Sequence, residues 1–289
     1  MYYPSREEIK TLVNKGDIGN KLGNLIPIYR EINADLETPV SAYLKIARAP
    51  YSFLLESVEG GERLARYSFI GTEPLSVIKT GLTTEHGSTD PLKLIEEAMI
   101  EFKPIHVSGL PRFTGGAVGY LSYEAVGHFE NLPTPLNDSI GVPEAIFMLT
   151  TTLLVFDHLE HKIKVVSHAH LDDDIETSYD AAVARIDELV RRLQEPLNSE
   201  IKQSITLSKV QKDDVSYTSN MSKSHFESIV NSTKQYIYGG DIIQAVISQR
   251  LARNTQAAPF DIYRSLRTVN PSPYMYYLNL GDFQIIGAS

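Results

Sequence analysis

The 289-residue sequence predicts an α+β fold built mainly from antiparallel sheet. Short apolar runs of strand length recur, broken by glycine and proline, as at Tyr67 to Ile70 and Leu75 to Lys79 around Gly71 and Pro74. Two pairs of such runs are joined by tight turns and read as hairpins. Between them lie segments with helical spacing and helix-start residues.

Each element has a local reason. Ser5 and Glu8 form a capping-box pattern ahead of Ile9, Leu12 and Val13. Leu25 to Ile32 alternates like a strand, and Pro27 points to a sheet edge. Thr38-Pro39 opens a helix through Tyr43, Leu44 and Ile46. Tyr51 to Leu55 reads as a strand, and Pro91 to Phe102 as a helix. Phe113 to Tyr120 is glycine-rich and reads as a strand packed closely against other backbone. Ala145 to Phe156 and Lys162 to His168 read as a hairpin around Asp157-His158-Leu159-Glu160. Asp172 to Asp174 precede a long helix, where acid favours the helix dipole. Ser222 to Tyr238 reads as a helix stopped by Gly239-Gly240, Ile242 to Leu251 as a strand, and Pro259 to Val269 as a helix. Tyr274 to Leu280 and Phe283 to Ile286 form a hairpin closed by Gly281-Asp282. The polar stretch from 196 to 221 is the predicted linker, dividing a region 1–195 from a smaller one, 222–289. The small region could only marginally cover a sheet of its own, so a sheet merged with the first region's is the alternative.

Composition narrows the function. The net charge of −9 disfavours nucleic-acid binding, because an acidic surface repels phosphate. The absence of cysteine excludes disulfides and thiolate metal sites. No apolar run approaches the roughly 20 residues of a membrane helix, and the start lacks a signal-peptide pattern, so a cytoplasmic protein is expected. His158, His161, His168 and His170 invite a metal reading, but two fall in a turn and two at a strand end, with no carboxylate forced nearby. Gly115 to Tyr120 does not match a dinucleotide-binding loop; close backbone packing is the better account.

Two stretches suit a small ligand. Leu54-Leu55-Glu56-Ser57 ends a buried strand in a carboxylate and a hydroxyl, groups able to meet a zwitterion. Asn270-Pro271-Ser272-Pro273-Tyr274-Met275 gathers prolines, an aromatic ring and a thioether, which suits a flat aromatic group.

At these stretches the sequence resembles anthranilate synthase component I. Three further motifs agree in order: Arg66 to Gly71, Gly115 to Glu124, and Gly240 to Arg250. The resemblance implies two antiparallel sheets packed face to face with helices outside, a regulatory region over 1–195, and the start of a chorismate-binding domain over 222–289. It implies a lyase (EC 4.1.3.27) that makes anthranilate and pyruvate from chorismate and ammonia, with magnesium on the chorismate carboxylates. A glutamine amidotransferase subunit would supply the ammonia, and the full-length form would be a heterotetramer with it. L-Tryptophan would inhibit, bound by Ser57, Pro273, Tyr274 and Met275 with Leu55 and Glu56 beside them. Gln244 matches an active-site strand position where water-using relatives carry a lysine base, so it resembles the ammonia-using branch. The family's magnesium carboxylates and catalytic histidine are expected beyond Ser289, so no catalytic or metal residue is assigned and this chain alone is expected to be inactive. Two rivals stay open: the large subunit of aminodeoxychorismate synthase on the folate branch, and a non-catalytic module that binds tryptophan or a partner.

Overall fold

The structure, a computed structural model, describes residues 1–14, 23–57, 66–133, 138–172, 174–197 and 216–289. Its contacts divide the chain into two compact units, one of residues 1–198 with 259–289 and one of residues 199–258.

The large unit begins with α1 (Arg6–Asn14), whose start is capped as expected: the Glu8 side chain accepts from the Ser5 N–H, and Ser5 Oγ from the Glu8 N–H. Strand β1 (Leu25–Asn33) and helix α2 (Pro39–Ile46) follow, the latter capped by Thr38 with Pro39 in its first turn. Next come β2 (Tyr51–Glu56), β3 (Tyr67–Thr72), β4 (Ser76–Thr80), α3 (Pro91–Met99) and β5 (Gly116–Leu121). Strands β6 (Ala145–Thr150), β7 (Thr152–Asp157) and β8 (Lys162–His170) lead to α4 (Ile175–Gln194), capped by Asp174.

The small unit holds β9 (Thr218–Ser219), α5 (Lys223–Gly239) and β10 (Leu251–Ala252), with β9 and β10 paired. Gly240 ends α5 in the left-handed conformation, as its sequence suggests. The large unit resumes with α6 (Pro259–Val269), β11 (Met275–Leu280) and β12 (Gln284–Ala288).

Among the described residues the strands of the large unit pair antiparallel, in a seven-stranded sheet ordered β1-β8-β7-β3-β2-β11-β12 and a three-stranded sheet ordered β4-β6-β5. The sheets pack face to face through Phe53, Leu278 and Leu280 of one and Ile146 and Met148 of the other. Helices cover the opposite face of the large sheet, where Ile46, Leu54, Phe156, Ile186, Tyr263 and Tyr277 join the main core. Burying each such side chain contributes about 1.5–3 kcal/mol. The predicted fold class therefore holds, and Pro27 lies on an edge strand as expected.

Three expectations need correction. The run from Ala145 to Phe156 is two strands, not one: β6 lies in the small sheet and β7 in the large one, with the break at Thr151. The apolar run is continuous because both strands are buried, which hides the change of sheet. Residues Ile242 to Gln249 carry no ladder hydrogen bonds; Leu251 and Ala252 pair with β9, and the Arg250 carbonyl accepts from the Asn220 N–H. A strand needs a neighbour for its N–H and C=O groups, and among the described residues only β9 reaches this segment. The β11–β12 hairpin does not start a second sheet; β11 pairs with β2, so the merged-sheet alternative is the one observed. Most of the expected linker, 198–215, lies outside the described residues.

Asp157 closes the turn after β7. Its carboxylate is buried and accepts from Arg66 and from the N–H groups of Leu159 and Glu160. Burial alone would raise its pKa, but these donors together hold it below the ordinary carboxylate range. The folded value is thus depressed below the unfolded one of about 3.9, so the stabilisation is complete above that value and is lost as pH falls through the folded pKa. Asp157→Asn should flatten the acid side of the stability curve and cost about 2 kcal/mol at neutral pH, as measured by urea unfolding from pH 3 to 7. An unchanged acid limb would contradict this role.

Candidate functional site

The two ligand-suited stretches meet in the large sheet. Strands β2 and β11 pair in a register that sets Glu56 against Met275 and Leu55 against Tyr276. Carried one step further, the same register sets Ser57 against Tyr274. Glu56 and Met275, 219 positions apart in sequence, are thereby neighbours, which no local pattern could dictate.

Side-chain alternation then divides the group between two faces. Glu56 and Met275 point to the helix-covered face and are 5% and 1% exposed. Leu55 and Tyr276 point between the sheets, where with Phe69, Val118, Tyr120 and Phe147 they line a largely apolar cavity of about 670 Å³. Pro273 and Ser57 are partly buried, and Tyr274 is exposed. Ser272 fastens the start of β11, accepting from the Tyr274 N–H and donating to the Ser289 carbonyl. Gln244 is exposed in the small unit, within the segment that lacks a ladder.

Around Glu56 the structure adds residues that the motifs did not single out. The Tyr263 hydroxyl donates to Glu56 Oε2, and Arg267 Nε donates to the same oxygen at 3.1 Å. Tyr263 is fully buried among Tyr43, Phe260 and Tyr277. Burial, reinforced by the Glu56 carboxylate, pushes its phenol pKa strongly upward, so it remains a neutral donor. His158 faces the same region and bonds Ser68 Oγ through Nε2 at 2.7 Å. Burial lowers its pKa, an effect partly opposed by Glu56. The available signal was the i, i+4 spacing of Tyr263 and Arg267, which puts both on one face of α6.

His168 is buried, bonded to the Thr151 carbonyl at 2.9 Å and to Thr114 at 3.3 Å, and burial lowers its pKa. Among the described residues no group of three or more His, Asp or Glu side chains is placed to hold a metal ion, and no helix is long and apolar enough to cross a membrane.

The family model for chorismate binding enzymes matches residues 50–289, and the chain belongs to that family. Within it, the chain is 42% identical to anthranilate synthase component 1 of Acetivibrio thermocellus, over 100% of this chain and 59% of the relative. It is 40% identical to the protein of that name from Saccharomyces cerevisiae, over 99% of this chain and 57% of the relative. The crystal structure of anthranilate synthase component I from Streptococcus pneumoniae matches with a TM-score of 0.62 at 30% identity, covering 89% of this chain and 57% of that one. The chain thus spans somewhat over half the length of these relatives.

Proposed function

We propose that this chain is the sensor-bearing part of an anthranilate synthase large subunit and that it binds L-tryptophan where β2 meets β11. The observation that carries this reading is the Glu56–Met275 pairing, which sets the two ligand-suited stretches side by side. Similarity to proteins named anthranilate synthase component 1 supports the same reading. The whole reaction would convert chorismate and ammonia into anthranilate, pyruvate and water. A glutamine amidotransferase partner would release the ammonia, in a heterotetramer located in the cytoplasm. Gln244 suits ammonia as the nucleophile, because an amide side chain cannot act as a base toward water. Magnesium belongs to the proposed reaction of the whole protein, and among the described residues no group of three or more His, Asp or Glu side chains is placed to hold it.

In the site, the Glu56 carboxylate would accept from the ligand's ammonium group, and Ser57 would add a hydrogen bond. The apolar groups nearby suit an indole. The chain itself contains no tryptophan, so indole emission in a titration reports the ligand alone. Saturable L-tryptophan binding, followed by calorimetry and by this emission, is the expected result. Ser57→Ala should weaken it about tenfold, the usual scale for a lost hydrogen bond to a charged group. If neither this chain nor a longer protein that contains it binds tryptophan, the tryptophan-regulated reading fails and the folate-branch synthase takes its place.

A further inference from the structure

We propose that Tyr263 and Arg267 are positioning residues for the amino-acid site: α6 holds the Glu56 carboxylate in place for a ligand ammonium group, and occupancy of the site is thereby tied to the seating of α6. This rests on the tryptophan reading above and extends it to residues outside the motifs.

Both helix donors converge on one oxygen, Oε2 of Glu56. An ionised carboxylate offers about four acceptor directions, so two donors fix its orientation without filling it. Tyr263 is itself fixed. Its ring stacks on Phe260 with centroids 5.6 Å apart and meets Tyr277 of β11 edge-on at 5.9 Å. Phe260 in turn stacks on Tyr43 of α2 at 4.7 Å. A carboxylate oriented by such a buried, packed donor loses less freedom when a ligand binds.

The connection runs along the chain as well. Helix α6 leads through Asn270 and Pro271 to Pro273 and Met275, so the helix that positions Glu56 and the second half of the site form one continuous segment. A ligand that draws on Glu56 acts on α6 through Tyr263 and Arg267, and on β11 directly. Coupling of this kind requires only that the ligand interact differently with two placements of α6.

The test titrates the wild-type chain, Tyr263→Phe, Arg267→Gln and Ser57→Ala with L-tryptophan and with 3-indolepropionate, which keeps the indole and carboxylate but has no ammonium group. In Tyr263→Phe the L-tryptophan Kd should rise about tenfold while that of 3-indolepropionate changes less than twofold. A purely structural role would shift both ligands equally or neither, and either pattern overturns the proposal. Arg267→Gln repeats the test at an accessible position should Tyr263→Phe fold poorly. If Ser57→Ala weakens L-tryptophan binding while both α6 variants bind like wild type, the tryptophan reading stands and this inference falls. If neither the wild-type chain nor a longer protein that contains it binds either ligand, both fall together.

Discussion

Replacing Gly119 by alanine is expected to destabilise the protein by about 3 kcal/mol or more, the upper range for a forced steric change in a packed interior. Gly119 lies in β5 opposite Phe147 of β6. A Cβ there would stand 1.8 Å from the Ile146 carbonyl oxygen and 2.8 Å from the Phe147 Cα. Both are backbone atoms of the central strand of the small sheet, so relief requires β5 and β6 to separate. Gly127 supplies an internal control, since a Cβ at that position meets nothing within 4 Å. Gly127→Ala should stay within about 0.5 kcal/mol of wild type. Chemical unfolding of the two variants side by side is the measurement. Equal stabilities would show that the small sheet adapts freely.

Replacing Glu56 by alanine has the second large expected effect, on both stability and binding. The change leaves the buried Tyr263 hydroxyl without its acceptor and Arg267 without its partner. Removing one member of a fully buried ion pair costs about 3–5 kcal/mol. Arg267 is 38% exposed and regains water, so the expected loss here is smaller, about 2 kcal/mol, most of it from Tyr263. At the proposed site, L-tryptophan binding should fall by about a hundredfold, because the ligand's ammonium group would lose its charged acceptor. Urea unfolding and calorimetry separate the two effects. A variant that unfolds like wild type but fails to bind would place Glu56 on the ligand alone and leave α6 held by its aromatic packing.

Much of this protein was written in local pattern. The Ser5–Glu8 capping box, Thr38 ahead of Pro39, Asp174 before the long helix and Gly240 after α5 each mark a helix end where the structure has one. Gly281-Asp282 closes its hairpin, with Gly281 at φ +88°. These features act over a few residues and depend on backbone dihedrals and nearby hydrogen bonds, so short sequence windows contain them. The motifs also brought out Glu56, Ser57 and Met275 as ligand-suited residues.

Tertiary structure decided what depended on partners distant in the chain. Thr151 carries no strong break signal, yet the chain there passes from the small sheet to the large one, because both flanking strands are buried and read as one apolar run. Ile242 to Gln249 has strand-like composition but no ladder, because composition does not supply a neighbour. Strand β11 could have begun a separate sheet; its pairing with β2 joins it to the first instead. That pairing sets Glu56 beside Met275, and strand alternation then turns Leu55 toward the inter-sheet cavity and Glu56 toward Tyr263. The residue types at the site were thus a property of the sequence, while their division between two faces and the hold of α6 on Glu56 came from sheet register and helix packing.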